Sequence, residues 1–238
     1  MPAPIVGVVA ARGGAGATFV ATHLAAGLAR RGIDCILADL DLGSNALAGT
    51  LGIPDDASPA TSADLLGLDE ELAPPQVREL VWRHPEGFGV LVSPGRTVPQ
   101  PSIGPDAVPR ALTTLARSAS VVVAHLPREL SEHARSALGC ADRVLVVVQL
   151  DVASFREARA MLEAERLGAR MEIVVNQARR GEITPRDVDR VFGHAPLAVV
   201  PFDRAVRAAQ DRGRLLPRRG RTGRALDALA GRVQEGLA

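Results

Sequence analysis

Short runs of apolar, often β-branched residues alternate along this chain with longer stretches whose apolar positions recur at helical spacing. The runs Ile5–Ala11, Cys35–Asp41, Gly89–Ser93, Ser120–Leu126, Arg143–Leu150, Met171–Asn176 and Leu197–Pro201 predict strands. Several are apolar nearly throughout, as in Val144-Leu145-Val146-Val147-Val148, the pattern of strands covered on both faces. Thr18–Arg31, with Leu24 and Leu28 on one stripe, and Ser154–Leu167, with Met161 and Leu162, predict helices. The alternation predicts an α/β fold with a doubly wound, mostly parallel sheet of about seven to eight strands and right-handed crossovers. No repeat or linker interrupts it, so residues 1–238 read as one domain. Residues 54–75, rich in Pro, Asp, Ala and Ser, read as a loop-rich insertion on the carboxyl edge of the sheet.

Composition narrows the class. The chain has 238 residues, 47% hydrophobic and 23% charged, with a formal net charge of +1, enough chain for a substantial core. Two distant cysteines, Cys35 and Cys140, form neither a disulfide framework nor a zinc pattern. No apolar run approaches the ~18–20 residues of a membrane span, and Met1–Val6 lacks a signal-peptide pattern. The expectation is a cytoplasmic globular protein. All 28 Lys+Arg residues are arginine. No mechanism that needs a lysine ammonium, on phosphate or in a Schiff base, can run from this chain alone.

Candidate chemistry begins where the first predicted strand ends. Ala11-Arg12-Gly13-Gly14-Ala15-Gly16-Ala17-Thr18 leads straight into a helix. Strand, glycine-rich turn and helix together cradle phosphates: the backbone comes close, N–H groups point inward and the helix N-terminus favours anions. Taken alone, the same turn also serves as a tight strand-to-helix connection with no ligand.

The register resembles the deviant P-loop Lys-Gly-Gly-x-Gly-Lys-[Ser/Thr] of the MinD/ParA class of ATPases, and the resemblance runs over residues 4–238. Asp39-Leu40-Asp41 resembles that family's switch I strand end. Val121-Val122-Val123-Ala124-His125-Leu126-Pro127 resembles its Walker B strand. Asp142-Arg143-Val144, Val174-Val175-Asn176-Gln177 and Val199-Val200-Pro201-Phe202-Asp203 match the later landmarks. Leu126-Pro127-Arg128-Glu129-Leu130 and the stretch from Pro201 to Arg214 are most similar to the CpaE/TadZ branch, MinD-like localisation factors of Tad-type pilus and secretion systems.

The resemblance implies ATP or ADP with Mg²⁺ as cofactor, cradled by Gly13, Gly14, Ala15, Gly16, Ala17 and Thr18. It implies Thr18 and Asp39 at the metal, Asp41 orienting the attacking water, Asn176 reading the adenine edge and Pro201 packing beside the base. It also implies a homodimer in which the signature lysine reaches the partner's nucleotide. Here that position is Arg12, which keeps a charge in a different geometry. The second loop lysine is Ala17, and the Walker B aspartate is His125. A neutral imidazole supplies no anion there and binds hard Mg²⁺ poorly. Two groups that stabilise charge in phosphoryl transfer are therefore missing. The expectation is a degenerate site that binds nucleotide weakly or not at all and hydrolyses it poorly. An active ATPase that recruits Arg12 is the alternative. Asp39, Asp41 and Asn176 each remain open to plainer readings as strand-end caps or turn residues.

Charge changes the picture once more. Arg204–Arg224 holds eight arginines and one acid, Asp211, in a chain of net charge +1. Such a stretch is either a solvated face or a contact for DNA, anionic membrane or an acidic partner. It carries no aromatic side chain for single-strand stacking. In Arg221–Leu237, Leu226, Leu229, Val233 and Leu237 share one helical stripe. That stripe suits packing on the sheet; MinD proteins end instead in a membrane-targeting helix, which opens peripheral attachment at the inner face of the membrane. The reading that results is a positioning or assembly factor for a pilus/secretion or septum system, with partners in that machinery. A ParA-like DNA-binding partition protein is the alternative.

Overall fold

A computed structural model describes residues 2–237, except 55–56, 58–59, 69, 71, 96–103, 105, 130 and 165–170. Its strands are β1 (Ile5–Ala10), β2 (Cys35–Asp39), β3 (Trp82–Arg83), β4 (Gly89–Leu91), β5 (Val121–His125), β6 (Arg143–Val148), β7 (Met171–Ala178) and β8 (Ala198–Pro201). Its helices are α1 (Ala17–Ala29), α2 (Ala46–Leu51), α3 (Ser62–Leu66), α4 (Pro74–Leu80), α5 (Ala107–Ala116), α6 (Glu132–Cys140), α7 (Val152–Ala164), α8 (Pro185–Phe192), α9 (Ala205–Gln210) and α10 (Arg221–Glu235). The strands form one eight-stranded sheet in the order β3-β4-β2-β5-β1-β6-β7-β8. All pairs are parallel except β3 with β4, so the predicted doubly wound α/β architecture is the one observed.

Alternation of side chains across the sheet feeds two cores. Val6, Val8 and Ala10 point into a layer built by α1 and α10, whereas Ile5 and Val9 point into one built by α5, α6 and α7. Each predicted strand is present, with trimmed or extended ends. β2 stops at Asp39 because that residue makes the last β2–β5 register pair, with His125. The Asp41 N–H then turns back to the Asp39 carboxylate. β7 runs two residues past Asn176, where the pairing with β8 shifts register. The edge strand β3 is only two residues long and was not predicted. Within 54–75 the structure places α3, started by a capping box between Thr61 and Asp64. The last three residues of the predicted helix Ser154–Leu167 lie outside the described residues, as does Leu130.

The apolar stripe of α10 packs into the fold: Leu226, Leu229, Ala230 and Val233 are buried against α1 and β8, and Leu237, just past the helix, is half-buried. Arg31 clamps the helix from outside, with both guanidinium arms on the Asp227 carboxylate at 2.9 and 3.2 Å. That pairing holds the Asp227 carboxyl below its usual range. No helix among the described residues is long and apolar enough to cross a membrane.

His23 ties the chain leading into α10 to α1. Its Nδ1–H donates to the Phe19 carbonyl at 2.8 Å, and its Nε2 accepts the Leu216 N–H at 2.9 Å. Only the neutral ring can do both, and burial holds its pKa down at about 4 against a usual 6.5. The unfolded chain then binds the extra proton between those values, so stability is complete above pH 6.5 and declines as pH falls towards 4. The full loss is roughly 3 kcal/mol. Denaturation midpoints measured from pH 7 to 4 should show this slope, and His23→Gln should flatten it.

Candidate phosphate-loop site

Every predicted site residue lies at the carboxyl edge of the parallel strands, where the strand order reverses around β1. In open α/β sheets that crevice is where ligands bind. Residues 11–16 connect β1 to α1 with Gly14 at φ 81° and Gly16 at φ 94°, left-handed values that favour glycine. Gly16 is also packed too tightly for any side chain: a Cβ there would sit 2.3 Å from the Asn176 amide nitrogen. Helix α1 starts from Gly16 with no side-chain cap and no acid in its first turn. By contrast, α3 and α8 begin with capping boxes. The uncapped N–H groups and the positive end of the helix dipole are therefore directed at the loop.

The loop is gripped from the other side by two consecutive amides. Asn176 Nδ2 donates to the Ala15 carbonyl at 2.7 Å and Gln177 Nε2 to the Gly14 carbonyl at 2.9 Å. Neighbouring side chains on a strand normally point to opposite faces. Here the register shift beside β8 and a left-handed Gln177, at φ 54°, bring both to the loop, at a strain of order 1–3 kcal/mol. Gln177 stood in the quoted motif without a role. An irregular backbone at a strand end leaves no pattern in sequence, so only the structure gives it one.

A cavity of about 690 Å³ opens beside the loop, lined by Gly14, Gly16, Asn176, Pro201, Phe202 and Arg207 among others. That volume suits a nucleoside-sized ligand. Arg179 lies over the Phe202 ring, 3.5 Å from its centroid. Pro201 and Asn176 thus meet Gly14 and Gly16 in one cavity, while Asp39, His125 and Thr18 gather at a second end of the site, by the first turn of α1. Arg12 is exposed and faces Asp151 of its own chain at 3.4 Å, a pairing worth little in water. Asp41 is half-buried. Ala15 and Ala17 are buried.

At that second end the three side chains form a line. His125 Nδ1 lies 2.8 Å from Asp39 Oδ1, and His125 Nε2 lies 3.2 Å from Thr18 Oγ1. The register explains the first contact, because Asp39 and His125 are direct partners at the ends of adjacent parallel strands. Burial pushes both groups towards their neutral forms. For His125 the charge and hydrogen bond of Asp39, with Asp41 behind it, outweigh burial and raise its pKa. Burial raises Asp39 as well, against the pull of His125. Both shifts favour the protonated form of each group over its ordinary value, and the ring at 125 is engaged at both nitrogens. Mg²⁺ requires an octahedron of oxygen donors at about 2.0–2.1 Å. The described residues here present a hydroxyl and a carboxylate already bonded to an imidazole, which does not fit that demand.

Comparison with known proteins agrees with this fold. The family model described as the CobQ/CobB/MinD/ParA nucleotide binding domain matches residues 6–216. An uncharacterised ATP-binding protein of Methanocaldococcus jannaschii is 26% identical over 209 residues, covering 86% of this chain and 77% of that protein. The septum site-determining protein MinD of Pyrococcus horikoshii, solved with Mg-ADP, superposes with a TM-score of 0.85 at 21% identity over 98% of this chain and 96% of its own. A chain of the Aquifex aeolicus MinC:MinD cell division protein complex gives 0.82 at 18% identity, covering 98% of this chain and 96% of its own.

Proposed function

The chain belongs to the CobQ/CobB/MinD/ParA nucleotide-binding domain family, and on that footing we propose that it is a MinD-like positioning or assembly factor, of the CpaE/TadZ kind, with a nucleotide pocket that binds but turns over little. The observation that carries the binding half is the loop itself. Left-handed glycines, an uncapped helix start and an adjoining cavity with Asn176 and Pro201 form a preshaped phosphate and base site. The observation behind weak turnover is chemical. Ala17 stands where a lysine ammonium would sit, and His125 where a carboxylate would. A missing electrostatic donor of this kind typically lowers a rate by ~10²–10³, whereas several backbone N–H contacts survive its loss.

The pocket's intended operation is as a platform: nucleotide occupancy sets a shape that a second copy or a machinery protein reads. Adenosine di- or triphosphate enters the cavity with its base beside Pro201 and its phosphates on residues 13–18. Asp41 and Arg12 are the remaining candidates for orienting water and for reaching a partner's nucleotide. Its structural relatives include a septum site-determining protein and a MinC:MinD complex, which supports the positioning reading.

An arginine-rich stretch supplies a counter-surface. Arg204, Arg207, Arg212, Arg214, Arg218, Arg219, Arg221 and Arg224 are all exposed, and Arg218 pairs with Asp227 at 3.2 Å. This favours a polyanion, duplex DNA or anionic lipid, as what the factor is positioned on. Such contacts weaken steeply with salt.

Calorimetry of the purified protein with ATP and ADP tests the reading. Binding at micromolar to millimolar strength, abolished by Gly14→Arg, is expected. No heat at millimolar nucleotide would end it, leaving the loop as architecture only.

A further inference from the structure

We propose that His125 takes the place of a metal ion: its ring joins Thr18 to Asp39, so that the loop accepts di- or triphosphate without a divalent cation. The inference rests on the nucleotide reading above and deepens it by fixing the form of the ligand, a free nucleotide rather than its magnesium complex.

The placement follows from the sheet. β5 and β2 end together, with Asp39 and His125 as register partners. From the end of β5 the ring lies sideways against the Asp39 carboxylate through Nδ1 at 2.8 Å. It lies against the Thr18 hydroxyl, in the first turn of α1, through Nε2 at 3.2 Å. His125 is 4% exposed and Asp39 1%. The buried pair and the half-buried Thr18 hydroxyl therefore form one unit that links two strands to the helix carrying the phosphate loop.

In P-loop NTPases the loop hydroxyl and the Walker B carboxylate, at the strand position that His125 fills here, hold Mg²⁺. Here the hydroxyl remains, the adjacent carboxylate is Asp39 on β2, and each has a ring nitrogen of His125 as its partner. The Asp39 oxygen that meets the ring also accepts the Asp41 N–H at 3.1 Å. For a cation to bind both oxygens the ring would have to leave its buried seat and abandon both contacts. Imidazole is itself a poor ligand for this hard ion. The ring therefore does two jobs: it fills the cation's space and satisfies the groups that would otherwise need the cation.

The experiment compares ATP and ADP binding in Mg²⁺ and in EDTA, for the wild-type protein and for His125→Asp. Thermal midpoints are recorded with Mg²⁺ or Mn²⁺ alone. Wild-type affinity should agree in the two media to within about threefold, and its midpoint should not move with either metal. His125→Asp sets two carboxylates side by side, so it should bind nucleotide at least about tenfold more tightly with Mg²⁺ than without. Its midpoint should rise with metal alone. Wild-type binding that is lost in EDTA overturns this inference and leaves the nucleotide reading standing. Absence of binding in both media removes the nucleotide reading and this inference with it. The wild-type comparison decides the matter even if His125→Asp does not fold.

Discussion

His125→Ala is expected to lower the stability of this protein by about 3–5 kcal/mol, a fall of roughly 10 °C in the unfolding midpoint for a chain of this length. The cause is not the cavity alone. Asp39 is 1% exposed, and besides the ring it accepts the Asp41 N–H. Without the ring a buried carboxylate is left nearly bare, which costs far more than the pair itself contributes. The deficit should also depend on pH in a particular direction. Burial is the largest influence on Asp39 and raises its pKa, and the ring is what opposes it. In the variant the raised folded pKa stands above the unfolded one, so the folded state retains a proton that the unfolded chain releases. Stability is then greatest below the usual carboxylate range and declines as pH rises through the folded value. The difference from wild type should widen as pH rises above the usual carboxylate range and stop widening above the usual histidine value, where the wild type loses the stabilisation its own raised His125 contributes, as measured by chemical denaturation at each pH. A deficit of constant size would mean that Asp39 finds another partner.

Gly223→Val should be nearly as damaging, for a steric reason at the start of α10. A Cβ at residue 223 would lie 2.3 Å from the Pro217 carbonyl oxygen and 2.6 Å from that of Arg218. Both are backbone atoms of the segment that delivers the chain to the helix, and neither can rotate away. Overpacking of this type costs about 1–3 kcal/mol and more where backbone must shift. Here the strain would propagate through a helix whose Leu226, Leu229 and Val233 are part of the core. A loss of about 3 kcal/mol or more is expected in urea denaturation. Gly49→Ala provides the contrast, because nothing lies within 4 Å of its Cβ position and it sits in α2. That change should be neutral or stabilising by up to ~1 kcal/mol. Equal effects at the two positions would show that α10 adapts to its lead-in chain.

The fold was readable because a sheet buried on both faces writes itself as runs such as Val144–Val148, with no alternation to confuse with helix. Glycines after β1 marked the loop for the same reason: few other residues tolerate φ 81° and 94°. The edge strand Trp82–Arg83 left no signal, since two residues make no pattern. The identity of residue 125 was legible, yet its consequence was not. From sequence the histidine is a missing carboxylate. Only the register that sets it opposite Asp39, eighty-six positions away, shows that it brings partners with it. Gln177 was hidden by a backbone irregularity rather than by its side chain.

The grip of Asn176 and Gln177 on the glycine loop has a kinetic consequence. A phosphate loop held open by its own neighbours has already lost the conformational freedom that a ligand would otherwise have to remove. Arrival of nucleotide then needs no slow rearrangement of residues 13–16, and association should approach the rate of simple encounter, with weak affinity expressed as fast release. A protein of this kind would sample the surrounding nucleotide pool continuously, following its composition rather than storing a memory of one bound molecule.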